Sequence, residues 1–355
     1  MDGNAIILAS GMLDDDHAKT AHGLIRGTER YNIVGVIDQK FAGQDAGVVT
    51  DGNKRDIPVY ASVADFQNGN NQLAQYCIIG VATQGGIIPP QLKEDVKSAI
   101  KAGMSIINGL HQYLSDTPEI VKLAEENGVD LLDIRKPRPA KELSFWTGEI
   151  YQVESPIVAI LGTDCALGKR TTARFMRDIM RGHGYKAEMI YTGQTGWLQG
   201  GTYGFIFDST LNDFISGEIE KAIVECYRDL GPEVLFIEGQ SALLNPTGPC
   251  GSEFIISGNA KGVILQHAPA RKYYCGWEKQ RLEIPSLQKN IEMIEAYGAK
   301  VLAISLNTNG CSTEEARAYQ EKYKKELNIP VVLPLEDGVE SMVPKIEEYI
   351  KDYHS

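Results

Sequence analysis

The residues with the clearest chemical potential are Gly162-Thr163-Asp164-Cys165-Ala166-Leu167-Gly168-Lys169, set between the apolar run Ile157-Val158-Ala159-Ile160-Leu161 and an amphipathic stretch that starts at Lys169. A strand, a glycine-rich turn and a helix in that order are the context of a phosphate loop. Successive backbone N–H groups point into such a turn, the helix N-terminus adds partial positive charge, and an exposed lysine at the helix start adds a full one. Phosphate is the natural guest. Two departures narrow the chemistry. Five residues rather than four separate the glycines, and Arg170 follows the lysine where nucleotide hydrolases carry a Ser or Thr on Mg²⁺. Thr171 or Thr172 is left to take the magnesium role, while Arg170 is itself able to hold a phosphate without metal. The loop therefore suits either a magnesium-bound nucleoside triphosphate or a cofactor whose pyrophosphate is only gripped, such as coenzyme A.

Further candidates lie downstream. Val234-Leu235-Phe236-Ile237-Glu238-Gly239-Gln240 puts a carboxylate at the end of an apolar run, where open α/β sheets bind their ligands. Glu238 is either a magnesium partner or a base that takes a proton from an amine. His267 ends another such run, with Arg271 four residues on; an imidazole titrates near neutrality and suits a general base, a capping or core histidine being the plainer alternative. Tyr191-Thr192-Gly193-Gln194-Thr195-Gly196-Trp197 offers amide and hydroxyl groups, Gln194 among them, beside the loop. In the first half, Asn108-Gly109-Leu110-His111 and Asp133-Ile134-Arg135-Lys136 both fall at strand ends, on the side expected to face the second domain. Arg135 and Lys136 would suit an acidic substrate.

These side chains need a scaffold. Short runs rich in Val and Ile alternate with longer amphipathic stretches, the pattern of a parallel sheet covered by helices on both faces. The first half predicts strands at Asn4-Ala9, Ile33-Asp38, Tyr76-Ala82, Ser105-Asn108 and Asp130-Ile134, with helices near His17-Thr28, Pro90-Ala102 and Thr117-Asn127. Gly103 and Asn127-Gly128 stand where helices want left-handed caps. Arg135-Lys136-Pro137-Arg138-Pro139 breaks the alternation and reads as a linker, because proline prevents helix there. The pattern restarts with strands Ile157-Leu161, Ala187-Tyr191, Val234-Glu238, Gly262-Gln266, Val301-Leu306 and Val331-Leu333. The helices between them are predicted at Lys169-His183, Leu211-Asp229, Pro285-Tyr297, Thr313-Glu326 and Gly338-Tyr353. Two α/β domains follow, residues 1–140 and 141–355. Ser10-Gly11 and Asp38 faintly suggest a dinucleotide fold, but a full G-x-G-x-x-G is absent.

Composition sets the bounds. A chain of 355 residues has room for two separate cores, and 43% hydrophobic with 23% charged residues is ordinary for a globular protein. A net charge of -12, with no basic run, disfavours nucleic acid as a partner, so small molecules are expected instead. The N-terminus lacks the basic segment of a secretory signal, and no apolar stretch reaches membrane-spanning length. The six cysteines are scattered without a C-x-x-C pair, which argues for reduced thiols in a cytoplasm and assigns no metal site.

The motif Gly162 to Gly168-Lys169-Arg170-Thr171-Thr172 resembles that of the D-glutamate N-acetyltransferase family, long catalogued as an uncharacterised NAD-dependent epimerase/dehydratase family of unknown function. The likeness extends through Lys19-Thr20-Ala21, Asn108-Gly109-Leu110-His111, Asp133-Ile134-Arg135-Lys136-Pro137, Thr192-Gly193-Gln194-Thr195-Gly196, Glu238-Gly239-Gln240 and His267, nearly the whole chain. The resemblance implies a Rossmann-like N-terminal domain, a P-loop domain with a doubly wound parallel sheet, and acetyl transfer from acetyl-CoA to D-glutamate. The loop and Glu238-Gly239 are also similar to dethiobiotin synthetase, an ATP- and magnesium-dependent ligase, which has Thr where this chain has Arg170. The older dehydrogenase label finds no support in the glycine spacing.

On these grounds Gly162 through Thr172 hold the phosphates of acetyl-CoA, with ATP and magnesium as the alternative. Glu238, His267 and Lys169 are the catalytic candidates. His111, Arg135, Lys136, Gln194, Gln240 and Arg271 face an amino-acid substrate in the cleft between domains, with Arg135, Lys136 and Arg271 on its carboxylates. The expected protein is a cytoplasmic homo-oligomer.

Overall fold

A computed structural model of the chain describes residues 3–69 and 73–354. The chain divides into two compact units. Unit 1 comprises residues 1–138 and 194–200, and unit 2 comprises 139–193 and 201–355.

Unit 1 runs β1 (Gly3–Leu8), α1 (Lys19–Arg26), β2 (Tyr31–Ile37), α2 (Ala46–Asp51), β3 (Val59–Tyr60), α3 (Val63–Gly69), β4 (Tyr76–Ile79), α4 (Pro90–Lys101), β5 (Ser105–Asn108), α5 (Pro118–Asn127) and β6 (Leu131–Asp133). All neighbours pair in parallel, in the order β3-β2-β1-β4-β5-β6, the order of a Rossmann sheet. Ile6, Ile7, Leu8, Ile78 and Ile106 are inaccessible to solvent, which is why the strands read as unbroken apolar runs rather than alternating ones. Two short helices and the two-residue β3 escaped the sequence pattern, being too brief to show a period.

Ten residues of loop and turn separate β1 from α1, and Asp38 after β2, where such folds hold a ribose hydroxyl, is buried and spent internally. Its Oδ2 accepts from the Gly11 and Leu13 amides at 2.9 and 3.0 Å.

Unit 2 runs β7 (Ile157–Gly162), α6 (Lys169–Gly182), β8 (Ala187–Ile190), then α8 (Ile215–Leu230), β9 (Val234–Glu238), α9 (Ser252–Ile256), β10 (Gly262–His267), α10 (Leu287–Ala296), β11 (Lys300–Leu306), α11 (Thr313–Leu327), β12 (Val331–Val332) and α12 (Val343–Tyr353). Its parallel sheet has the order β12-β11-β10-β7-β9-β8. β7 is thus central, and the turn that leaves it is flanked by the carboxyl ends of β9 and β10. Three helix starts shift from expectation for local reasons. α12 begins at Val343 because Pro344 is tolerated only in a first turn, and α10 begins after Ser286, whose side chain caps the Lys289 amide. α8 likewise starts at Ile215, after two 3₁₀ turns that take up residues 207–214.

The segment after residue 138 is strapped to α8. Ser144 N donates to Glu218, while Thr147 N and Ile150 N donate to Glu220, both glutamates being buried. The intervening helix α7 (Gln194–Leu198) belongs to unit 1 despite its place in sequence. Leu198 lies in that unit's core, Thr195 Oγ1 meets Thr20 Oγ1 at 3.0 Å, and Gln199 Nε2 donates to the carbonyls of Gly23 and Gly27. Among the described residues no helix is long and apolar enough to cross a membrane.

Candidate functional site

The loop after β7 is built by backbone and held by buried polar groups. Thr163 N donates to Gln266 O at 3.0 Å, Ala166 adopts φ +52°, and Gly168 with φ +98° opens α6, whose N-terminus no side chain caps. Lys169 does not project outward as a helix-start lysine is expected to. It is 7% exposed, folded back against Gly162, and its Nζ donates to Asp164 O at 2.8 Å and Ser241 O at 2.9 Å. Burial pushes its pKa down, opposed by Cys165 and Asp164. Such an ammonium stands to gain from an arriving anion.

Asp164 is fully buried inside this loop, where it accepts from four donors, Arg271 alone among them charged. Oδ2 accepts from Arg271 Nη1 at 3.0 Å and Cys275 N at 2.9 Å; Oδ1 accepts from Cys165 N at 2.7 Å and Asn245 Nδ2 at 3.5 Å. Arg271 Nη1 also donates to Cys165 O at 2.8 Å. Arg271, expected on a substrate carboxylate, is thus turned onto the loop, and its first role is to hold Asp164. Arg271→Ala should lower the stability of the fold by about 3 kcal/mol, because it leaves a buried carboxylate without its counter-charge. Urea unfolding of mutant and wild type measures this; an unchanged midpoint would show that the pair holds nothing.

Thr172 is also placed otherwise than a metal ligand needs. It is a fully buried residue of α6, donating to Gln266 Oε1 at 2.8 Å and lying 3.2 Å from Ser305 Oγ. Thr171 and Arg170 are partly exposed. The remaining loop residues divide between the buried Leu167, pinned through its carbonyl by Asn307 Nδ2 at 3.2 Å, and the exposed Ala166.

Glu238 and His267 stand on either side. Glu238 is 6% exposed, and burial pushes its carboxyl above the usual range, with the Arg170 guanidinium, the Thr192 and Gly193 amides and Lys169 opposing. Its Oε2 accepts from Thr192 N at 3.0 Å. Gly239 is required next, since a Cβ there would lie 2.2 Å from Ile160 O. Gln240 Nε2 reaches back to Thr192 Oγ1 at 2.9 Å, so the Glu238-Gly239-Gln240 and Thr192-Gly193 motifs interlock. His267 Nδ1 lies 3.0 Å from Thr163 Oγ1, and burial lowers its pKa to about 4. At neutral pH the ring is uncharged.

A second constellation forms within unit 1. Arg135 Nη1 donates to His111 Nε2 at 2.7 Å, and its Nη2 donates to Gln194 Oε1 at 2.9 Å. His111 rests on Gly86, where a Cβ would come within 2.6 Å of the His111 backbone nitrogen. Beneath them Asn108 and Asp133 tie the strand ends together at 2.7 Å. Lys136 does not join this group. It is exposed and bound to Asp116 Oδ1 at 2.7 Å and Ser115 Oγ at 2.8 Å.

Four participants were not foreseen. The Ser241 carbonyl and the Cys275 amide are backbone groups and carry no sequence signal. Asn245 lies in a loop with nothing to mark it. Asn307, just past the end of buried β11, shows the same polar strand-end signal that marked Glu238 and was missed.

The P-loop half matches the family described as Domain of unknown function (DUF1611_C) P-loop domain over residues 144–343, and residues 39–137 match its (DUF1611_N) Rossmann-like domain. The chain is 30% identical over 283 residues to a D-glutamate N-acetyltransferase from a Pseudoalteromonas species, covering 77% of this chain and 81% of the relative. A protein of the same name from Tritonibacter scottomollicae is 30% identical over 277 residues, covering 76% and 80%. The crystal structure of a DUF1611 family protein from Anabaena variabilis ATCC 29413 is similar with TM-score 0.87 at 27% identity, over 97% of this chain and 99% of that one.

Proposed function

Since the chain belongs to the DUF1611 family, whose relatives include D-glutamate N-acetyltransferases, we propose that it transfers the acetyl group of acetyl-CoA to the amine of D-glutamate or a closely related amino acid. The observation that carries the cofactor side of this reading is the make-up of the loop's cations. Lys169 and Arg170 stand at the start of α6, and the hydroxyl of Thr172 is turned inward onto Gln266 and Ser305. Such a donor set suits a pyrophosphate held by backbone amides, helix dipole and fixed positive charge, with no cation required to bridge it.

Acetyl-CoA, when bound, would supply a thioester carbonyl: the C–S bond breaks as the amine nitrogen bonds to the carbon, and the proton that nitrogen sheds in becoming an amide goes to the departing sulfur, which leaves as the free thiol. The protein's part is to bind, orient and move one proton. An amino acid is an ammonium in water and becomes a nucleophile only when that proton leaves. Glu238 is proposed as its acceptor, being a buried strand-end carboxylate whose pKa burial raises. His267 is proposed to position Thr163 in the loop through the Nδ1 contact. Within unit 1, Arg135, presented by His111 and Gln194, is a group suited to holding a carboxylate.

Purified protein given acetyl-CoA and D-glutamate should release free thiol, and the amino acid should gain one acetyl group by mass. The rate should survive excess chelator. Strict dependence on ATP and magnesium without thiol release would sink the proposal and favour a ligase resembling dethiobiotin synthetase. Thiol release with other amino acids but not D-glutamate would leave the reaction class and change only the acceptor.

A further inference from the structure

Beyond β10 the chain passes Arg271 and doubles back as a hairpin that the proposed chemistry leaves unused. Tyr273 bridges Glu283 in antiparallel sense, Tyr274 N donates to Leu282 O at 2.9 Å, and Ile284 N donates to Lys272 O at 3.0 Å. Tyr274 is buried, its hydroxyl on Leu244 O at 2.6 Å. The hairpin is moored to the phosphate loop itself, through Arg271 and the Cys275 amide on Asp164. Gly276 turns the chain at φ +83°, and Trp277 follows, 39% exposed, with its amide held by Tyr274 O.

This is an expensive residue to leave in water on a fixed turn. Trp277 is two residues beyond the amide that touches Asp164, so its Cα lies within about 7 Å of that of Cys275. A nucleotide whose pyrophosphate rests on the loop must set its purine a short span away, and an indole face is a surface on which any purine stacks. The exposed side chains of Lys279 and Arg281 follow on the same hairpin. Lys272 is paired with Glu283 at 3.1 Å, Arg281 Nε reaches Tyr273 at 3.3 Å, and Glu278 is turned back onto the Gly276 amide at 3.0 Å.

We propose that the hairpin Lys272 to Glu283 is the purine subsite of the cofactor: Trp277 stacks on the adenine, and Lys279 with Arg281 supplies positive charge for the 3′-phosphate that coenzyme A carries and ATP lacks. The proposal rests on the phosphate-loop reading, and its test separates the two. Calorimetry on the full chain would compare inorganic pyrophosphate, which probes the loop alone, with ADP and 3′,5′-ADP. Trp277→Ala should weaken both nucleotides about tenfold and leave pyrophosphate unchanged, and Trp277→Phe should restore most of the loss. The double variant Lys279→Ala with Arg281→Ala should weaken 3′,5′-ADP more than ADP. These side chains are exposed, so the variants open no core cavity, and a thermal melt would verify the fold. Pyrophosphate that binds equally to wild type and Trp277→Ala, with nucleotide affinity also unchanged, would overturn the hairpin and keep the loop. Pyrophosphate that fails to bind wild type would overturn both.

Discussion

Replacing Lys169 by alanine should weaken acetyl-CoA binding by about a hundredfold or more, the loss expected when a buried, charge-assisted contact to phosphate is removed. The side chain is not a freely waving cation. It is buried and bonded to the carbonyls of Asp164 and Ser241, and desolvation has pushed its pKa down. Two consequences follow that distinguish it from a surface lysine. First, the ammonium must be protonated to hold a phosphate, so affinity should fall as pH rises through a pKa below the ordinary lysine value. Calorimetric titration across alkaline pH checks the sign: an affinity flat to beyond pH 10 in wild type would contradict it. Second, the mutation strips the buried Asp164 carbonyl and the part-buried Ser241 carbonyl of their donor, at a cost of about 1–3 kcal/mol, so the melting temperature should fall as well. Lys169→Arg keeps the charge but not the shape behind Gly162, where a Cβ would already lie 3.1 Å from the lysine. It should recover only part of the binding. Unaltered cofactor affinity in Lys169→Ala would refute the phosphate-loop assignment.

How much of this was legible beforehand depended on whether a feature repeats, or depends on one neighbour. The two parallel sheets were legible because the central strands bury both faces, and continuous apolar runs such as Ile157-Leu161 and Val301-Leu306 follow from that. The loop was legible because glycine and lysine are needed at fixed places by a mechanism. The fate of individual polar groups was not. Arg271 and Lys136 are both basic residues near strand ends, yet one is turned onto Asp164 and the other onto Asp116; composition cannot choose between an anionic ligand and an anionic neighbour. Lys169 looked exposed because a helix start usually is, and the backbone carbonyls that draw it inward have no letter in the sequence. Helix α7 posed a different problem. Its five residues sit in the P-loop half of the chain and pack in the other unit, through Leu198 and, just past the helix, Gln199, and nothing in a local pattern signals a segment that leaves its own domain and returns.

Glu238→Gln should lower kcat by about 10²- to 10⁴-fold, the range associated with losing a positioned general base. The choice between Glu238 and His267 turns on which one changes with pH and in what direction. A base works only when deprotonated, so activity falls as pH falls through its pKa. Burial raises Glu238, and its acidic limb should therefore lie above the ordinary carboxylate value of 4.5. Burial lowers His267 to about 4, so that ring is already neutral across the whole working range and would impose a limb only near that pH. Arg170 opposes the rise at Glu238, so Arg170→Ala should move the limb further toward neutrality while weakening the cofactor. His267→Ala, by contrast, frees Thr163 Oγ1 from its 3.0 Å contact and should appear as a higher KM for acetyl-CoA with the limb in place. Stability keeps these outcomes apart from unfolding. A carboxylate with a raised folded pKa is least favourable in its charged form, so above pH 4.5 the amide of Glu238→Gln removes a penalty and can still accept from the Thr192 amide. The mutant should melt no lower than wild type at pH 8. A mutant that is folded and inactive, with the acidic limb gone, fits Glu238 as the base; a limb that persists in Glu238→Gln and vanishes in His267→Ala assigns the proton to the imidazole instead.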